Sequence, residues 1–252
     1  AAVKESLDRV HSSLANGGFS LPRTRVTINL APADLRKEGS AFDLPVALCL
    51  LASTKQLNPE PLKDFLISGE LGLSGELRYV KGALSMAMLA KQKKLRGVIL
   101  PPISAREASL VEGIEVYAVE NLCQVVDFIN QKQELKPLPS SLKKSSVRAE
   151  PSCDFDEIKG QPKLRRAVEV AVSGGHNLLI VGPPGSGKSM ISKRIPNILP
   201  SPSMDEYIEI VKIYSSCGEK FLKLSDMQAR PFRAPPHTIS DVGLIGGGAV
   251  PG

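Results

Sequence analysis

NLLIVGPPGSGKSMISK, Asn177 to Lys193, decides how the second half of this 252-residue chain is read. Asn177 to Val181 is a short apolar run that predicts a strand. A glycine-rich loop follows, and a helix is expected from Met190. Gly182, Gly187, Lys188 and Ser189 fill the pattern GxxxxGK[ST] without a departure. In that pattern the glycines allow backbone angles that turn several N–H groups inward, making a nest for a β-phosphate at a helix N-terminus. Lys188 reaches the β and γ oxygens, and the Ser189 hydroxyl helps hold Mg²⁺. The bland alternative is a glycine turn between a strand and a helix. The flanking strand and helix are the context a phosphate-binding loop requires. The whole loop, Gly182, Pro183, Pro184, Gly185, Ser186, Gly187, Lys188 and Ser189, is therefore the expected nucleotide site, with ATP and Mg²⁺ as cofactors.

Hydrolysis needs more: a carboxylate at the end of a second apolar strand, to organise the metal and the attacking water. The only adjacent acidic pair after Ser189 is Asp205 and Glu206, and Pro-Ser-Met precedes it instead of an apolar strand. No catalytic residue is assignable, and the chain by itself is not expected to hydrolyse ATP.

Upstream, KPLPSSLKKSSVRAEPSC (136–153) has prolines, serines and basic residues but no apolar period, which marks a linker. The expected organisation is a first domain over 1–135, a linker over 136–152 and a second domain over 153–252. In the first, Val3, Leu7, Val10 and Leu14 predict a helix closed by Gly17. RVTINL, Arg25 to Leu30, alternates and reads as a strand, and Phe42 to Ala52 as an apolar helix. DFLISGELGLSGELRYV (64–80) predicts two strands around a turn at Ser74 and Gly75. A helix from Ala83 to Lys94 leads to the buried strand GVIL, stopped by Pro101 and Pro102. A short helix, the strand EVYAV and a helix from Leu122 to Lys132 complete a mixed α/β unit. The second domain opens with a helix from Gln161 to Ser173.

Hydrophobic content of 42% with 23% charged residues suits a globular chain able to bury a core. No apolar run approaches the roughly 18 residues of a membrane span, and residues 1–20 do not read as a charged-then-apolar leader. A cytoplasmic protein without a membrane partner is expected. Cys49, Cys123, Cys153 and Cys217 share no CxxC spacing and are expected to be reduced and buried. The net charge of +6 suits a polyanion or an ordinary solvated surface. With Ala1 in place of the usual Met, the chain is expected to be a piece of a longer one.

DFDEIKGQ (154–161), GHNLLIVGPPGSGKSMI (175–191) and ARPFRAPPHTISDVGLIGGG (229–248) together resemble the magnesium-chelatase-like branch of the AAA+ ATPases. AVKESLDRV (2–10), TINLAPADLRKEGSAFDLPVAL (27–48) and GELGLSGELRYVKGAL (69–84) resemble the N-terminal domain of the YifB/ComM family. The resemblance implies a ribosomal protein S5 domain 2-like, Lon-protease-like first domain followed by the first part of a P-loop AAA+ α/β domain. It implies a hexameric motor, similar to a DNA helicase that promotes branch migration on branched or single-stranded DNA in transformation and recombination. It places Ile158 and Gly160 at the adenine pocket, and Arg230, Arg233 and His237 in a basic segment. Pro236 stands where the family usually has a first histidine. Further strands before Ala1, and an apolar strand ending in Asp-Glu after Gly252, are also implied.

Two alternatives stay open: a chelatase-type ATPase subunit, and a Lon-like peptidase or peptide-binding module. A Lon-type serine needs a lysine base. In KEGSA (37–41) the serine position of the resemblance falls on Ala41, and VKGALSM (80–86) has Leu84 where the lysine would stand. An off-register Ser40 and Lys81 pair is the remaining way to that chemistry. KQKKLR (91–96), the linker residues Lys143, Lys144 and Arg148, and KLRR (163–166) are either phosphate-backbone contacts or solvated helix ends.

Overall fold

The computed structural model describes residues 2–22, 25–30, 39–140, 155–218, 230–236, 238–241 and 243. The chain divides into two units, Ala1–Lys143 with Val211–Phe221, and Lys144–Ile210 with Leu222–Gly252.

In the first unit, helix α1 (Ala2–Asn16) turns Val10 and Leu14 into the core. Its left-handed cap is Gly18, at φ 74°, one residue later than the expected Gly17, and the Phe19 N–H closes onto the Leu14 carbonyl. Helix α2 (Asp43–Ser53) buries Leu44, Ala47, Leu48 and Leu51 in the same cluster. Strand β1 (Phe65–Ile67) leaves its sheet at Ser68 and Gly69, and a hairpin of β2 (Glu70–Leu71) and β3 (Leu77–Arg78) follows. The segment expected to hold two strands thus holds three, in two sheets. The hairpin turn closes at Gly75, φ 90°.

Helix α3 (Ala83–Gln92) carries the chain to β4 (Gly97–Leu100), and α4 (Pro102–Ala108) carries it on to β5 (Glu115–Ala118). Both crossovers are parallel, giving the strand order β1-β4-β5, with Phe65 beside Gly97 and Val98 beside Val116. All four residues of β4 are buried, as a strand covered on both faces requires. Ile99 joins the cluster of α1, α2 and α5 (Leu122–Ile129), while α3 and α4 pack on each other and on β4. Gly97 is dictated by close approach, because a Cβ there would stand 2.5 Å from the Glu115 carbonyl oxygen. Asn121 caps α5 by accepting from the Gln124 N–H at 2.9 Å. This is a mixed α/β unit with a parallel sheet, as the element order implies.

Arg25–Leu30 forms no strand; Val26 and Ile28 are exposed, and no described strand pairs with them. Alternation alone cannot make a strand, since its hydrogen bonds need a neighbour. Cys49, Cys123 and Cys217 are exposed, correcting the buried expectation; Cys49 lies on the face of α2 turned from the core. Cys153 lies outside the described residues, as do Lys37, Lys143, Lys144, Arg148 and His237.

Asp43, fully buried, accepts from Ser6 Oγ, from Arg9 Nε at 2.8 Å and from the Leu71 N–H at 3.4 Å. One carboxylate thereby ties α1, α2 and β2 together. Asp43→Ala leaves Arg9 only its exposed partner Glu5 and leaves the Leu71 N–H without this acceptor, and is expected to cost about 1–3 kcal/mol in denaturant unfolding; a loss within the scatter of surface substitutions would contradict this role.

Glu107 on α4 is buried and accepts from Ser215 Oγ at 2.8 Å. Burial raises its carboxyl above the ordinary 4.5, against the opposing pull of the Ser215 and Tyr79 hydroxyls. Tyr79 itself is pushed up to about 12, by burial first and then by Glu107. Because the folded state favours the protonated acid, this stability contribution is full below the unfolded value and is lost as pH rises through the raised one. Glu107→Gln keeps an acceptor for Ser215, so it is expected to raise the denaturation midpoint at pH 8 relative to pH 4. An unaltered pH slope would contradict the assignment.

Candidate nucleotide-binding site

The second unit has α6 (Pro162–Gly174), α7 (Lys188–Ile198) and the first half of α8 (Met204–Cys217). Gly175, at φ 63°, ends α6. Asn177–Val181 then runs to the loop without a strand partner, and Leu179 and Val181 are 87% and 85% exposed. The strand expected there is absent because no described residue of this unit offers a neighbour to pair with. The helix expected from Met190 begins two residues earlier, at Lys188.

Within the loop, Gly185 and Gly187 sit at φ 79° and 84°, angles that L residues rarely adopt. A Cβ on Gly185 would meet nothing within 4 Å, so this side of the backbone is open to a ligand. Gly187 is the N-cap of α7, and the first intrahelical bond runs from Ile191 N–H to its carbonyl. The N–H groups of Lys188, Ser189 and Met190 therefore have no partner in the helix and favour an anion. Ser186 Oγ donates to the Pro183 carbonyl at 2.8 Å, tightening the turn. Lys188 Nζ folds inward and donates to the carbonyls of Gly182 and Pro183, each at 2.7 Å. Its charge thus sits inside the loop. Ser189, in the first turn of α7, is exposed. An ammonium, open glycine backbone and an exposed hydroxyl fit a polyphosphate with its Mg²⁺.

Behind the loop, Phe155, Ile158, Val168 and Ile191 form a buried cluster joining a short 3₁₀ turn (Phe155–Glu157), α6 and α7. Ile158 is fully buried there, and Gly160 is exposed at φ 77°. Sequence reasoning passed over three polar ties to this segment. Arg194 donates to Glu157 at 2.6 Å. Arg165 lies over the Phe155 ring and donates to the Ile158 carbonyl at 3.3 Å. Gln161 Nε2 donates to the Ser186 carbonyl at 2.7 Å.

Both halves of the chain match family models: residues 1–104 that of subunit ChlI of Mg-chelatase, and residues 154–252 that of magnesium chelatase, subunit ChlI. Over 251 residues, 99% of its length, the chain is 42% identical to the competence protein ComM of Haemophilus influenzae and 39% identical to YifB of Escherichia coli. The chain belongs to the YifB/ComM family of magnesium-chelatase-like AAA+ proteins. It spans about half the length of these curated relatives, 49% of ComM and 48% of YifB. A shorter match, 33% identity over 104 residues, covers 41% of the chain and 22% of the DNA repair protein RadA of Aquifex aeolicus.

Other residues singled out in the sequence fall elsewhere. Glu206, half of the acidic pair, is in a capping box on α8: Ser203 Oγ accepts from the Glu206 N–H at 3.3 Å, and Glu206 accepts from the Ser203 N–H at 2.8 Å. The Ser203 N–H, with help from Arg230, holds its carboxyl below the usual value. Arg230 spans Glu206 and the Pro200 carbonyl. Of the basic stretches, Lys91 donates to the Glu112 carbonyl, Arg96 to Glu115, and Arg166 to Glu169. Ser40 donates to Glu70, and the Lys81 side chain runs beside Gly218. Among the described residues no helix is long and apolar enough to cross a membrane.

Proposed function

We propose that the chain binds ATP with Mg²⁺ on Gly182–Ser189 as the nucleotide-binding part of a larger AAA+ motor. The observation that carries this reading is the Lys188 ammonium held inside a glycine loop that caps α7. Lys188 exchanges the Gly182 and Pro183 carbonyls for β- and γ-phosphate oxygens, while the N–H groups of the first turn of α7 meet the β-phosphate. Ser189 would be the protein ligand to Mg²⁺, which would supply positive charge against the phosphates. Ile158 and Gly160 belong to the adenine side.

In the whole protein this unit works in a homo-hexamer that couples hydrolysis to movement on branched or single-stranded DNA in the cytoplasm, a branch-migrating helicase. The name of the ComM relative and the basic balance of the chain support this reading. Hydrolysis itself requires a metal-organising carboxylate, and Glu206 is engaged in capping and in its pair with Arg230. The first domain, 1–135, takes an S5 domain 2-like fold without peptidase chemistry, joined through 136–152 to the ATPase domain at 153–252. Ser40 donating to Glu70 supports the loss of the Lon-type dyad. The chelatase-subunit alternative has the names of the two family models in its favour.

Calorimetry with ATP·Mg²⁺ tests the reading. Lys188→Ala removes a charge-assisted contact worth about 1.5–3 kcal/mol, so binding is expected to weaken by about tenfold to a hundredfold. Equal affinity of the two proteins would refute the site.

A further inference from the structure

We infer that Gln161 is a positioning residue for the phosphate loop, setting its shape through one hydrogen bond across 25 positions of sequence, an inference that rests on the nucleotide reading above.

Gln161 occupies an unusual place. Its backbone is left-handed, φ 51° and ψ 52°, at the N-cap of α6, where glycine or asparagine is the ordinary occupant of such angles. Its side chain does not cap its own helix. Nε2 instead donates to the Ser186 carbonyl at 2.7 Å, a good amide bond by length. A non-glycine residue in this region persists where its surroundings impose it. A glycine here would relax the backbone and leave the loop carbonyl without this donor.

The Ser186 carbonyl belongs to the peptide whose N–H is that of Gly187, the N-cap of α7. Fixing the oxygen fixes the plane of that peptide, and with it the direction of the Gly187 N–H. Ser186 is also the residue whose hydroxyl closes the turn on Pro183 and lies 3.3 Å from Lys188 Nζ. The same amide stands 3.9 Å from the position a Cβ on Gly187 would take. Gln161 therefore reaches the hinge of the loop, between the turn that holds Lys188 and the helix that faces phosphate.

Its own segment is anchored independently. Glu157 is held by Arg194 of α7, the Ile158 carbonyl by Arg165, and Phe155 and Ile158 by the apolar cluster. Gln161 thus transmits a fixed reference, the 155–160 segment, to the loop. The consequence is specific to phosphate: loss of the amide loosens the peptide that receives the polyphosphate, whichever base is attached.

The test uses three forms of the protein, unmodified, Gln161→Met and Gln161→Gly, with calorimetry for ATP·Mg²⁺ and for base-free tripolyphosphate·Mg²⁺. Met keeps the length and removes the donor; Gly also removes the left-handed backbone demand. Both variants are expected to bind both ligands about five- to tenfold more weakly, the loss of one hydrogen bond. The thermal midpoint of Gln161→Gly is expected to stay level, because relief of backbone strain offsets added chain freedom. Amide exchange at 185–189 is expected to quicken in both variants while α6 is unchanged. Unaltered affinity for tripolyphosphate in Gln161→Met overturns the inference and leaves the nucleotide site standing. A loss confined to ATP also overturns it, by placing Gln161 on the base. If the unmodified protein binds neither ligand, the nucleotide reading fails, and this inference fails with it.

Discussion

Phe155, Ile158, Val168 and Ile191 bury one another, and that contact sets where α7 starts relative to the segment before α6. The side chains come from three stretches, the 155–158 segment, α6 and α7, so the cluster holds the glycine loop from behind without entering it. Ile191 is one turn into α7, and its N–H makes the first bond of that helix, to Gly187. Packing at Ile191 therefore orients the unbonded N–H groups of the preceding turn. The polar ties of Arg194, Arg165 and Gln161 lie around this apolar contact.

The first unit uses a similar device on a larger scale. Its parallel sheet is closed on both faces, and one buried carboxylate, Asp43 at the start of α2, collects donors from α1 and β2. Asp43 follows closely on Ser40 and Ala41. Here that stretch is occupied with structural hydrogen bonds: Ser40 to Glu70, and the Ala41 carbonyl to Ser68 Oγ and the Gly69 N–H. These bonds hold the start of α2 against the hairpin.

Much of this was legible in the sequence wherever local chemistry sufficed. GVIL between a basic turn and two prolines could only be a buried strand, and Asn121 ahead of an apolar helix supplies its own cap. The glycine loop ahead of α7 was legible because Gly182, Gly187, Lys188 and Ser189 stand there at fixed spacing. RVTINL and NLLIV carried the pattern of strands, yet a strand exists only with a neighbour, and that neighbour is not a property of the segment. The Ser203 and Glu206 capping box was equally local, a serine three residues ahead of a glutamate at the start of a helix. Gln161 was beyond any local rule: its partner is 25 residues away, and its left-handed backbone has no signature in glutamine.

The central claim is that the second unit grips a nucleotide at Gly182–Ser189 through a loop supported by the 155–161 segment. Amide hydrogen exchange of the protein with and without saturating ATP·Mg²⁺ tests it most directly. The account predicts slowed exchange in peptides covering 182–191 and 155–161, with the parallel sheet of β1, β4 and β5 unaffected. Unchanged exchange across 182–191, or slowing found in the first unit alone, would contradict it.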